Sequence, residues 1–150
     1  MYRYTAEEIE QMRAESRSAK CTAPALWWNT PAEQLRPVCN GVGAEDSAQW
    51  MRDALTWLYR RMAAAAGIHD CRYEESDGTE DNRSDADREL YDNALRLLNA
   101  RYGVWRWLRP AYRHDRRMAY AAYLALVLCG VKAWQAAYQR RLTREEAECD

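Results

Sequence analysis

The sequence contains no phenylalanine and only two lysines, Lys20 and Lys132, among its 150 residues. Aromatic content falls instead on seven tryptophans and ten tyrosines, and positive charge falls almost wholly on arginine. Six glycines and four prolines are too few for a β-sandwich, which needs a turn signal about every 8–12 residues. There is no Cys-x-x-Cys pair and no Cys/His cluster, which argues against a zinc site. The five cysteines (Cys21, Cys39, Cys71, Cys129 and Cys149) are scattered and odd in number, and they read as free thiols of a chain made in the cytosol. The first 20 residues are polar and charged, unlike a signal peptide. The most apolar run, 118–131, ends at Lys132 and is too short to span a bilayer comfortably. A net charge of -1 supplies no global field to draw the chain to nucleic acid.

What is present is 48% hydrophobic and 30% charged, the balance of one globular domain with one core over residues 1–150. Thr5 followed by Glu8 forms a capping box, so residues 6–20 read as a helix with Ile9 and Met12 on one face. Most of that helix is polar, which suggests an arm. Residues 21–43 hold three prolines and the pair Trp27 and Trp28, and read as an extended loop. A helix capped by Asp46 or Ser47 follows, with Trp50, Leu55, Trp57, Leu58 and Met62 at helical spacing. A second helical segment covers about 68–75, after the four alanines 63–66 and Gly67. Residues 76–84 read as a polar loop, and Ser84 or Asp85 caps the next helix, which Gly103 ends. Pro110 fits a first helical turn, and one long helix is expected over 110–141. With no strand alternation, the class is all-α.

Charge is partitioned. Residues 74–92 hold nine acids against two arginines, and residues 96–117 hold seven arginines against Asp115. The basic segment also carries Trp105 and Trp107. Arginine pairs bidentately with phosphate and tryptophan favours the membrane interface. The same composition also fits a surface linker whose tryptophans pack inward. His114-Asp115 lies among these arginines and reads as a solvated surface pair.

The stretch His69-Asp70-Cys71-Arg72-Tyr73 carries the clearest chemistry. On a helix His69 and Tyr73 share a face, and Asp70 points elsewhere. Asp87 lies on the next helix, in line with Leu90, Tyr91, Ala94 and Leu98. A carboxylate on an inward stripe wants a partner. If the two helices pack antiparallel, Asp87 meets His69 and orients it as a general base. Asp70 is then left to bind a hard cation with carbonyls from a glycine loop, Gly41-Val42-Gly43. Cys39 and Cys71 read as buried thiols.

This set resembles the phospholipase A₂ superfamily, in which a Gly-x-Gly calcium loop precedes a His-Asp-x-x-Tyr helix and a facing helix supplies an aspartate. Ser84 to Tyr91 looks especially like the viral capsid branch. The chain is also similar to small phage proteins with an Ala-Ala-x-x-His-Asp-x-x-Tyr run. The resemblance covers residues 39–98, and the third loop glycine is replaced by Ala44. It implies a core over 39–102 built on two antiparallel helices, with the arm (1–20) and the long C-terminal helix (110–141) outside it. It implies His69 as base, Asp87 as its orienting partner and Tyr73 as a brace. Asp70 with Asn40, Gly41 and Gly43 would hold Ca²⁺.

The expected function is calcium-dependent hydrolysis of phospholipid esters, on a membrane met through Arg96, Arg101, Trp105, Arg106, Trp107 and Arg109. Nucleic acid is not expected as a partner. The alternative is a non-catalytic helical structural protein, such as a phage particle component, that keeps the scaffold and meets other virion proteins or copies of itself. Synthesis is expected in the cytoplasm, with virion association as the further location under either reading.

Overall fold

The computed structural model describes residues 4–39 and 59–149. Among these, all regular structure is helical and no strand occurs. Helix α1 (Ala6–Ser18) starts at Thr5, whose hydroxyl accepts from the Glu8 amide while the Glu8 carboxylate accepts from the Thr5 amide. That reciprocal pair satisfies two amides the first turn would otherwise leave unpaired. The helix is part of the core, not an arm. Ile9 and Met12 are buried, and they pack with Trp27, Leu35 and Ile68.

The expected loop over 21–43 contains two short helices, α2 (Ala25–Asn29) and α3 (Ala32–Leu35). Pro24 and Pro31 occupy their cap positions. Proline near the start of a helix removes an amide that has no intrahelical partner there, so here it begins helices instead of excluding them. The helix expected after Asp46 or Ser47, with Trp50 and Trp57, and the Gly41-Val42-Gly43 loop lie outside the described residues.

After a 3₁₀ turn at Arg60–Met62, helix α4 (Ala63–Glu74) runs through Gly67 without a break. A Cβ at Gly67 would lie 3.0 Å from the Trp27 ring. The glycine therefore serves packing: it lets the fully buried Trp27 lie against the α4 backbone. Helix α5 (Glu80–Tyr102) begins earlier than expected because Thr79, not Ser84 or Asp85, caps it, accepting from the Asn82 amide at 3.2 Å. It stops at Gly103, whose φ of 66° suits only glycine well. A five-residue link, 75–79, turns α5 back antiparallel along α4. Arg61 therefore meets Tyr102 near one end of the pair and His69 meets Asp87 near the other.

The long helix expected over 110–141 is two helices. Helix α6 (Pro110–Cys129) packs along α5, and α7 (Val131–Cys149) leaves it at a 70° bend. The bend falls on Gly130. A Cβ there would lie 2.5 Å from the Leu126 carbonyl oxygen and 3.2 Å from the Tyr73 hydroxyl. Glycine allows the elbow to press against α4, and α7 then returns to the α4 C-terminus. There Trp134 and Ala137 bury against Tyr73 and Ala86, and the indole of Trp134 donates to Ser76 at 2.7 Å. No single described helix is long and apolar enough to cross a membrane; α6 and α7 together have the length and composition but are bent.

Candidate active site

Helices α4 and α5 bring His69, Tyr73 and Asp87 together in the interior. Asp87 is fully buried, and its two oxygens meet three donors. His69 Nε2 lies 2.9 Å from Oδ1. The Tyr73 hydroxyl donates to the same oxygen at 2.7 Å. Arg83, one turn earlier on α5, donates to Oδ2 at 2.8 Å. The His69 and Tyr73 rings are in contact at a tilt of 48°, with centroids 4.1 Å apart. That contact follows from their four-residue spacing on one helix.

The arrangement selects the tautomer of the neutral imidazole. An ionised carboxylate only accepts hydrogen bonds. The hydrogen bond to Asp87 Oδ1 therefore places the proton on His69 Nε2, and the lone pair of the neutral ring sits on Nδ1. Nδ1 has no hydrogen-bond partner among the described residues. Such a ring can take a proton from water at Nδ1, and the resulting imidazolium would be stabilised by Asp87. Tyr73 stays a donor throughout, because burial and then the adjacent Asp87 carboxylate push its phenol far up.

Arg83 was not expected here from the sequence, although its position four residues before Asp87 on one helix is a recognisable pairing signal. Its side chain is buried, and its other nitrogens meet Glu80. Those bonds to Glu80, with the charge of Asp87, hold its guanidinium even more firmly protonated than usual. One Arg83 nitrogen also approaches the Leu126 carbonyl at 3.5 Å. The α6–α7 elbow thus covers the Arg83 and Tyr73 side of the site.

Asp70 is half-buried on the neighbouring face of α4. Its charge is one of the smaller contributions that raise the Cys39 thiol; contact with the buried Cys71 and burial itself are the larger ones. The other ligands expected for Ca²⁺, namely Asn40, Gly41 and Gly43, lie outside the described residues. Among the described residues no group of three or more His, Cys, Asp or Glu side chains is placed to hold a metal ion. Of the four ligands expected for Ca²⁺, Asp70 is the one that falls among the described residues.

The basic segment divides. Arg96 is turned toward α1, donating to the Lys20 carbonyl and the Thr22 hydroxyl, and Arg101 lies 3.9 Å from Glu15. Trp105, Trp107 and Arg109 are exposed, so the tryptophans do not pack inward. Asp115 is not the solvated residue its sequence context suggests. It is buried and accepts from Arg61 at 2.8 Å and Tyr102 at 2.7 Å, while His114 remains exposed.

Comparisons of this chain with protein-family models, with curated proteins and with solved structures find no match.

Proposed function

We propose that the protein is a hydrolase of phospholipid ester bonds that uses His69 as its general base, on a helix pair of the phospholipase A₂ type. The observation that carries this reading is the buried contact of His69 Nε2 with Asp87 Oδ1 at 2.9 Å, which leaves Nδ1 as the basic nitrogen. In this reading Nδ1 takes a proton from water as the water attacks the ester carbonyl. Asp87 holds the productive tautomer and stabilises the imidazolium that forms. Tyr73 and Arg83 fix the carboxylate through its two oxygens. The phospholipid class rests on the His-Asp-x-x-Tyr resemblance, in which Asp70 follows the base directly in sequence.

Asp70 with carbonyls from Asn40, Gly41 and Gly43 would hold Ca²⁺, which when bound supplies polarisation of the ester carbonyl. The test is fatty-acid release from mixed phospholipid vesicles, with and without a calcium chelator. Release that stops in chelator supports the reading. A folded protein that releases none at any calcium concentration overturns it and favours the non-catalytic scaffold.

A further inference from the structure

We propose that the outer face of α6, together with the turn that leads into it, docks on a bilayer surface bearing anionic phospholipid. The proposal rests on the hydrolytic reading for its choice of a phospholipid surface, but it concerns a face away from His69 and its test reads binding, so the two can fail separately.

The turn after Gly103 presents large apolar side chains to water. Val104 is 80% exposed, Trp105 71% and Leu108 74%. Scattered single apolar residues need no explanation, but a cluster of this kind does. Helix α6 continues the surface. Arg109, Arg113 and Arg116 recur at helical spacing from its start, and all three are exposed. Arg109 and Arg113 form no ion pair among the described residues, and Arg116 lies over the Trp107 ring at 5.2 Å. The same stripe then turns apolar with Tyr120, Leu124 and Val127, beside the 79% exposed Leu128. It ends at the elbow that covers Arg83 and Tyr73.

One helix face is therefore basic along its first half and apolar along its second, with a Trp/Leu tip at the basic end. Guanidinium groups match phosphate headgroups. Tryptophan and leucine beside them match the headgroup and acyl boundary. Nucleic acid fits less well, for two reasons. Val104, Leu108, Leu124 and Leu128 offer no stacking surface for a base. Trp107, which could stack one, already packs with Arg106 at 5.4 Å, with Arg116 and edge-on with Tyr112 at 5.1 Å, so of the two tryptophans Trp105 alone is left to do so.

The test is co-sedimentation of the full chain with phosphatidylcholine vesicles that contain or lack phosphatidylglycerol, in parallel with a fluorescent oligonucleotide. We expect binding to the anionic vesicles that weakens as salt rises. Arg109→Glu and Arg113→Glu should each reduce it by at least about fivefold, from roughly 1 kcal/mol per basic residue near a charged surface. Trp105→Ser with Leu108→Ser should reduce it by about tenfold or more through lost apolar burial. All four positions are exposed, so folding is expected to survive, and circular dichroism checks it. His69→Gln should bind vesicles like the wild type, which separates docking from turnover. Equal binding to both vesicle types, binding untouched by these substitutions, self-association or oligonucleotide capture in place of vesicle binding, or no vesicle binding at all would each overturn the proposal.

Discussion

Arg83 donates to Oδ2 of Asp87 at 2.8 Å from one helical turn earlier, and so places a cation against a carboxylate that has no access to water. A buried charge is tolerated when it is paired and hydrogen-bonded. The guanidinium balances the charge of Asp87 and leaves Oδ1 to His69 and Tyr73.

Arg83→Met is therefore expected to be severely destabilising, by about 3–5 kcal/mol, because it leaves the carboxylate buried without its guanidinium partner. Tyr73→Phe removes one donor from the same group and should cost about 1–2 kcal/mol. Urea denaturation of both variants checks the order. Equal, small effects would mean that water reaches Asp87.

A second buried carboxylate makes the fold sensitive to acid. Burial alone would raise Asp115, but the hydrogen bonds from Tyr102, Arg61 and His114 outweigh it and hold its carboxyl below the usual range. A group depressed in the folded state stabilises above its unfolded pKa, about 3.9 for aspartate. That contribution is lost as pH falls through the lower, folded value. Asp115→Asn should cost about 1–3 kcal/mol near neutral pH. It should also flatten the loss of stability below about pH 4, the unfolded-state aspartate value. Thermal melts of both proteins between neutral and strongly acid pH read the difference. Parallel curves would contradict the assignment.

The elbow gives a sharper packing test. Gly130→Ala would put a methyl group 2.5 Å from the Leu126 carbonyl and 3.2 Å from the Tyr73 hydroxyl. Neither neighbour is the free end of a flexible chain, so the cost should be about 1–3 kcal/mol, as for overpacking generally. An unchanged melting temperature would show that α6 and α7 join differently.

Thiol labelling tests burial across the molecule. Cys39 and Cys71 are fully buried, and burial pushes the Cys21 thiol up to about 11. Cys129 is exposed. Iodoacetamide at mildly alkaline pH should modify Cys129 well before those three, as mapped by mass spectrometry. Early labelling of Cys71 would contradict the packing of α4.

Features set by neighbouring residues were legible in the sequence. The Thr5/Glu8 box, the Gly103 stop and Pro110 in a first turn each act within a few residues, and each does so here. The meeting of His69, Tyr73 and Asp87 was also legible, because helical spacing puts the first two on one face and a carboxylate on an inward stripe asks for a partner. Features set by distant contacts were not. The apolar pattern runs unbroken across Gly130, and only the close approach to Tyr73 shows why a bend falls there. Asp115 looks solvated beside His114 until Arg61, 54 positions away, is seen to pair with it. Glycine normally weakens a helix interior, and only the Trp27 ring against Gly67 shows why one stands there. Arg83 was legible in principle, since its offset from Asp87 is an ordinary helical pairing, but Glu80 offers another partner at helical spacing.

The most direct test of the central claim is the rate of fatty-acid release from phospholipid vesicles by His69→Gln relative to the wild type, with circular dichroism showing equal helix content. Glutamine keeps much of the volume and can still hydrogen-bond to Asp87, but it cannot take up a proton. We expect a loss of at least about 10²-fold, the low end of what a positioned general base contributes. Release by the variant at close to the wild-type rate would remove His69 from the chemistry and leave the buried cluster a structural one.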